Sequence, residues 1–131
     1  MGSVTVSPDG KLIAYIADTT SESQVVAVDV DGANRRMLAR RPLASNFWFI
    51  EWSPMSTTMA AVATGNHDMG LVAINLSSGE TRDLSVSGWG AVGQPAWSPD
   101  GKTIFAPAIL GQPGSLFQLW AFDAQTGRTA P

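Results

Sequence analysis

The chain has 131 residues, of which 44% are hydrophobic and 15% charged, so it is too apolar for a disordered protein and suits one domain over 1–131. Its net charge of −3 argues against nucleic-acid binding, which needs a basic face. The sequence has no Cys, which excludes disulfides and thiolate metal sites, and it has no apolar run of roughly 18 residues, so we expect no membrane insertion as a helix.

Short apolar runs separated by Gly, Pro, Asp and Ser predict twelve strands and no helix, because no helical stripe of about 3.6-residue period survives this spacing. In chain order the predicted strands fall into three groups of four. They are 4–6, 12–17, 24–30 and 35–39; then 49–52, 58–63, 70–76 and 81–85; and finally 95–97, 103–108, 116–123 and 128–131.

The three groups are an internal repeat. A Ser-Pro pair after the first strand of each group begins at Ser7, Ser53 and Ser98, spaced by 46 and 45 residues. A second landmark, the glycine of a later turn, has spacings of 47 and 48 residues and stands at Gly32, Gly79 and Gly127. A period of about 40–50 residues made of short strands is typical of β-propellers. The sequence therefore predicts an all-β fold of three four-stranded blades, with repeats at about 4–45, 46–92 and 93–131.

Several repeated residues have structural roles. Pro-Asp-Gly turns follow the first strand in repeats one and three, where Asp caps the backbone and Gly takes a positive φ. The middle repeat has Met55-Ser56-Thr57 there, so we expect a looser or differently shaped hairpin. A Trp before Ser-Pro in two repeats indicates packing between blades. The predicted structural set is Asp9, Gly10, Trp52, Pro54, Trp97, Pro99, Asp100 and Gly101.

Two stretches carry a resemblance to a known family. The segment from Trp97 to Lys102 reads WSPDGK, and the segment from Val28 to Leu38 reads VDVDGANRRML. Both resemble the TolB-like repeat, also called the WD40-like PD40 repeat, of bacterial propellers. The resemblance implies a ring of six or more blades and favours a periplasmic or other extracytoplasmic location. It implies no single function, since such repeats build the TolB propeller, the propellers of prolyl-oligopeptidase-type peptidases and sensor regions.

Three blades form half of such a ring and leave two blade faces uncovered. An apolar face of roughly 500 Å² in water costs about 12 kcal/mol, as much as the net stability of a domain. The sequence therefore predicts a self-association partner, a homodimer that closes a six-bladed ring or a higher ring. The alternatives are a longer natural chain that supplies the other blades, and a designed or truncated chain.

No motif for catalysis is present. The sequence lacks a G-x-S-x-G elbow and a G-x-x-x-x-G-K-[ST] phosphate loop. His67 is the single His, and Asp29 with Asp31 provides too few oxygen ligands for Ca²⁺. We expect no catalytic residue, metal or cofactor, and a non-enzymatic module that binds protein or peptide or assembles with itself. The alternative is the propeller part of a larger enzyme, such as a peptidase, or of a bacterial sensor.

A binding surface is expected on the loops that join the last strand of one blade to the first strand of the next, together with the loops between the second and third strands. Loops on a rigid scaffold commonly carry function, and aromatic and Arg side chains are typical interface anchors. An alternative is that Phe47 and Trp48 fill the space between two blades. The predicted surface consists of Arg40, Arg41, Asn46, Phe47, Trp48, His67, Asp68, Trp89 and Gln94.

Overall fold

The computed structural model describes residues 3–55, 57–65, 68–84 and 88–131. Over these residues the chain forms three antiparallel sheets, which confirms the predicted all-β propeller architecture. In each sheet four strands are hydrogen-bonded in chain order, and the third sheet has a fifth strand that lies off this path. One 3-10 turn, Leu43–Ser45, joins the first two blades.

The strands group into three blades. Blade 1 consists of β1 (Val4–Val6), β2 (Leu12–Asp18), β3 (Glu22–Asp29) and β4 (Arg36–Pro42). Blade 2 consists of β5 (Phe47–Trp52), β6 (Thr58–Thr64), β7 (Met69–Asn75) and β8 (Thr81–Asp83). Blade 3 consists of β9 (Trp89–Val92), β10 (Ala96–Trp97), β11 (Thr103–Leu110), β12 (Gln118–Asp123) and β13 (Thr129–Ala130).

Strand β9 is an addition that the sequence analysis did not anticipate. Trp89 lies in a predicted connection, but Trp89–Val92 pairs with the far end of β11, with Val92 opposite Ala108 and Trp89 opposite Leu110. Strand β11 is long enough to pair with β10 near its start and with β9 near its end. The third sheet therefore has five strands among the described residues.

The hairpin turns follow the predicted chemistry in blades 1 and 3. Asp9 Oδ1 accepts hydrogen bonds from Ser7 Oγ at 2.7 Å and from the backbone N–H of Lys11 at 3.0 Å, and Asp100 has the equivalent pair. Gly10 has φ +74° and Gly101 +73°.

The turn of blade 2 differs in its side-chain bonds. Met55 replaces the Asp of the other two turns, and its backbone N–H donates a hydrogen bond to Ser53 Oγ at 3.1 Å. Its closing bond, from Ser53 N–H to the Thr58 carbonyl at 2.9 Å, matches those of the other two turns. This turn therefore differs in its side-chain bonding and keeps the same closure; Ser56 lies outside the described residues.

The core consists of two layers, one between each pair of adjacent blades. We call the face of a blade that is turned towards the next blade in the chain its forward face, and the opposite face its backward face. On β6, Met59 and Ala61 pack in the layer shared with blade 1, whereas Ala60 and Val62 pack in the layer shared with blade 3. This alternation is the period of two that a strand imposes on its side chains.

Glycine turns fit closely at both blade junctions. A Cβ on Gly79 would lie 2.8 Å from the carbonyl oxygen of Leu38 in the preceding blade, and a Cβ on Gly127 would collide with the equivalent oxygen of Leu84. Gly32, the corresponding residue of blade 1, has open space around its Cβ position. The same turn is therefore packed at two junctions and exposed at the uncovered end.

We predict that Gly127→Ala is more destabilising than Gly114→Ala, a change in the loop between β11 and β12 with open space around the Cβ position. Both residues have positive φ, +76° and +83°, which costs a side chain about 1–2 kcal/mol. Only Gly127→Ala also forces two blades apart, so we expect it to lower the free energy of unfolding by at least about 3 kcal/mol. Urea unfolding monitored by Trp fluorescence measures both. Equal losses would contradict the close packing at Leu84.

A second prediction concerns the loss of folding stability at acid pH. Hydrogen bonds from Ser7 and Ser98 lower the pKa values of Asp9 and Asp100 below the ordinary 3.8, with smaller contributions from the backbone of residues 11 and 102. A lowered folded-state pKa gives stability that is present above the ordinary value and is lost as the pH falls through the lowered one. The doubly substituted Asp9→Asn/Asp100→Asn chain should therefore lose less stability than wild type between about pH 5 and pH 3.

The measurement is urea unfolding at the two pH values. Asp18→Asn/Asp83→Asn, which changes the charge equally at two exposed strand ends, is the control and should retain the wild-type acid loss. A wild-type acid loss in the Asp9→Asn/Asp100→Asn chain would refute the proposed role of these turns.

Candidate functional site

The backward face of blade 1 is an uncovered apolar surface. Strand register places Val4 beside Tyr15 and Val6 beside Ile13, all on the side away from blade 2. Val4 is 63% exposed and Val6 52%. On the outer strand β4, Met37 stands opposite Val26 on the same face and is 49% exposed.

The forward face of blade 3 is the matching surface at the other end. Phe105 pairs with Ala121 and Pro107 with Leu119, on the side of β11 away from blade 2. Leu119 is 62% exposed and Phe105 36%. Contiguous apolar patches of this kind mark interfaces. Both end blades therefore present apolar side chains to solvent.

Polar contacts at the two existing junctions show what such an interface adds to apolar packing. Thr5 Oγ1 in β1 accepts a hydrogen bond from the backbone N–H of Trp52 in β5 at 3.1 Å. At the second junction Trp97 Nε1 donates to the Glu51 carbonyl at 3.0 Å, and Arg82 donates to the Gln125 carbonyl at 2.7 Å. Each blade is thus fixed to its neighbour at the inner strand, and the second junction is also closed near the outer strand.

Part of the predicted loop surface is assembled around Trp48. Its indole Nε1 donates to Thr64 Oγ1 at 2.7 Å, and Thr64 Oγ1 donates to Asn46 Oδ1 at 3.0 Å. Trp48 remains 43% exposed. Arg41 Nε donates to the Ser45 carbonyl at 2.7 Å, which holds its guanidinium beside this group. Asn46, Trp48 and Arg41 are therefore brought together where blade 1 passes to blade 2.

Two aromatic residues of the predicted surface are buried, so the expectation that they are exposed is wrong. Phe47 is 2% exposed because it begins strand β5 and lies in the core layer between blades 1 and 2, as in the alternative interpretation. Trp89 is 4% exposed because β9 joins the sheet; its ring packs edge-on against Trp120 at 5.0 Å and near Phe122 at 5.8 Å. Neither residue can anchor a partner at the surface.

Three further predicted residues contact other parts of the chain. Arg40 lies on β4 and pairs with Glu22 of its own blade at 3.6 Å. Asp68 Oδ2 accepts a hydrogen bond from Gly88 N–H at 2.8 Å, which fixes the approach to β9. Gln94 Nε2 donates to the Ile50 carbonyl at 2.9 Å, on an inner strand. His67 lies outside the described residues.

A cleft at the opposite end of the molecule was not expected from sequence. It has a volume of about 600 Å³ and lies between the turns of blades 2 and 3. Arg82, Lys102 and Asp123 supply its charges, and Met55 and Trp97 its apolar walls. Backbone N–H groups of residues 126 and 125 lower the pKa of Asp123, so this carboxylate is ionised at neutral pH. The one sequence feature that bears on this cleft is the loss of Asp-Gly in the turn of blade 2. Met55 stands where the other two turns have Asp, and its side chain lines the cleft.

Within the described ranges, no group of three or more His, Cys, Asp or Glu side chains is arranged to hold a metal ion. The same residues include no helix with the length and hydrophobicity needed to cross a membrane.

No family model matches the chain. Among solved structures, it is similar to TolB from Acinetobacter baumannii, with a TM-score of 0.76 and 17% identity over 98% of this chain and 31% of that one. A candidate TolB from Agrobacterium tumefaciens gives a TM-score of 0.79 and 16% identity over 96% and 46%. The β-propeller domain of the Trilobed protease from Pyrococcus furiosus, which has an open velcro topology, gives 0.68 and 16% over 98% and 40%.

The chain spans less than half of the length of each of these structures. The identities are low, so the likeness concerns the arrangement of strands and blades rather than a shared activity. The chain has the fold of three consecutive blades of a TolB-like β-propeller.

Proposed function

We propose that this chain is a non-enzymatic propeller module whose two uncovered faces pair with a second copy and close a six-bladed ring. The observation that carries the proposal is the alternation of side chains. Ala60 on a forward face and Ala61 on a backward face are both buried, whereas the equivalent Phe105 and Tyr15 at the chain's two ends are partly exposed. One uncovered face is forward and the other backward, which is the combination that each existing junction uses.

The same geometry supports ring closure. Two copies related by a two-fold axis form two identical junctions, each joining blade 3 of one chain to blade 1 of the other. Such a head-to-tail contact ends in a closed ring when the rotation per subunit divides a full turn. Gly79 and Gly127, in the equivalent turns of blades 2 and 3, lie against the preceding blade, whereas Gly32 has open space on that side. This open space supports the proposal that a blade of the second copy lies beside Gly32.

We predict that the isolated chain has twice its 13.8 kDa mass in solution, measured by light scattering after gel filtration. Leu119→Lys should shift the chain towards monomer, because a charge would be buried in both junctions. Leu43→Lys, at an exposed position on the 3-10 turn away from the end faces, is the control and should remain dimeric. A monomeric wild-type chain would contradict ring closure.

The Trp48 group supports a second part of the proposal, binding of a protein or peptide at this end of the ring. An exposed indole held by a hydrogen bond, next to an Arg guanidinium, offers an aromatic and a cationic contact on a rigid frame. The family resemblance favours an extracytoplasmic location for such binding.

We expect peptides selected from a phage-displayed linear library on the wild-type chain to lose binding to Trp48→Ala. They should retain binding to Met55→Ala, which removes a 61%-exposed side chain at the opposite end. Because Trp48 is on the surface, its substitution should change the free energy of unfolding by less than about 1 kcal/mol, against about 3–5 for Phe47→Ala. Selected peptides that bind Trp48→Ala unchanged would refute this surface.

A second candidate function is a propeller segment of a larger protein, in which further blades come from the same polypeptide. The observation in its favour is that the chain covers 31–46% of the matched TolB-type structures and 40% of a protease's propeller domain. A gene that continues beyond Pro131 into a G-x-S-x-G elbow would favour the propeller of a peptidase. In that case the end faces would pair with those further blades instead of a second copy.

A further inference from the structure

Equivalent positions on the backward faces differ in side-chain size. Trp52 and Trp97 each stand immediately before the Ser-Pro pair of their blade, and each is on the backward face at a closed junction. The equivalent residue of blade 1 is Val6, which is at the uncovered end. The indole that helps to fill both closed junctions is therefore missing from the open backward face.

The forward faces differ in the opposite sense. Ala14, Ala60 and Phe105 each lie seven positions after the Ser of Ser-Pro and on the forward face of β2, β6 and β11. The first two are completely buried in the closed junctions, while Phe105 is on the open forward face. A phenyl ring thus stands on the open face where each closed junction has a methyl group.

These two differences combine at the junctions. Ala14 and Trp52 lie in one buried cluster where β2 contacts β5, and Ala60 belongs to the cluster against which Trp97 packs. A closed junction therefore combines a small forward residue with a large backward one. The open ends have a large forward residue, Phe105, and a small backward one, Val6.

We propose that Phe105 of one copy packs against Val6 of a second copy and occupies the space that Trp52 and Trp97 fill at the closed junctions. This inference rests on the proposed ring closure and adds to it the contact that selects the partner. A second copy is favoured over an unrelated partner because both halves of the inverted pair are in one chain. An unrelated protein would need only one half.

Tyr15 completes the open backward face. The equivalent residues of blades 2 and 3 are Ala61 and Ala106, both buried. Tyr15 stands across from Val4, two residue pairs along from Val6, and its hydroxyl accepts a hydrogen bond from Arg35 Nε at 3.4 Å. On this face the large side chain is therefore on β2, whereas on the other backward faces it is on the innermost strand. A test of the Val6 position must for this reason also replace Tyr15.

The test exchanges the two patterns. Val6→Trp/Tyr15→Ala converts the open backward face to the closed-junction type, and Phe105→Ala does the same for the open forward face. Each chain alone should dimerise roughly 100-fold more weakly, the first because Phe105 meets a Trp at both junctions and the second because both junctions contain a cavity. The chain with all three substitutions should regain dimerisation to within about tenfold of wild type, because its junctions then match the closed type.

A mixture of the two substituted chains tests the same contact through the composition of the dimers that form. In a mixed dimer of the Val6→Trp/Tyr15→Ala chain and the Phe105→Ala chain, one junction is of wild-type composition and the other of closed-junction composition. Native mass spectrometry of an equimolar mixture, with one chain labelled with ¹⁵N, should therefore show mixed dimers well above the statistical half. Circular dichroism of each chain checks that its blades remain folded.

The outcomes separate the two proposals. A dimeric wild-type chain whose substituted forms neither recover in the triple variant nor favour mixed dimers would overturn the contact between Phe105 and Val6 and leave ring closure standing. A monomeric wild-type chain would overturn both. If either substituted chain is unfolded alone, the triple variant still decides, since recovery of its dimer requires the matched pair.

Discussion

The structure depends on the packing of one blade face against the next. A four-stranded sheet with apolar side chains on both faces cannot cover itself with its own turns, so each blade needs two neighbours. Blade 2 has both, and Met59, Ala60, Ala61 and Val62 of β6 are all completely buried. The end blades have one neighbour each. The difference between a buried face and an exposed one is therefore a matter of position in the row of blades, not of a different type of sheet.

The repeat explains why most of the fold was predictable from sequence. Each blade carries its own turn chemistry, so local signals such as Asp9-Gly10 and Asp100-Gly101 mark where hairpins close, and the spacing of these signals counts the blades. Strand β9 was missed because its identity depends on a distant partner. The stretch that includes Gly88, Gly90 and Gly93 has a loop's composition, and it becomes a strand only because β11 is long enough to pair with it.

The candidate surface was less predictable because it depends on which face each residue occupies. Strand β5 has a β-bulge between Phe47 and Phe49, so Phe47, opposite Ala63, packs in the core, whereas Trp48 is the extra residue of the bulge and is exposed. The sequence shows two neighbouring aromatic residues but not where the strand begins, and a start at Phe49 would have left both in a loop. Trp89 is a similar case, since a single pairing changed an expected surface residue into the centre of an aromatic cluster.

The inverted sizes at the open ends also bear on how such a chain would avoid incorrect association. All closed-type junctions combine a small forward residue with a large backward one, so a partly folded chain could place its own closed-type face against another copy's and form a mismatched row. A Phe at the open forward face would clash with a Trp on any closed-type backward face, and a Val at the open backward face would leave a gap beside any closed-type Ala. Specificity comes from such differences in fit as much as from favourable contacts. Under the proposed pairing, the open ends therefore suit one another and suit the internal faces poorly, so that closure of the ring does not compete with the packing of the blades inside each chain.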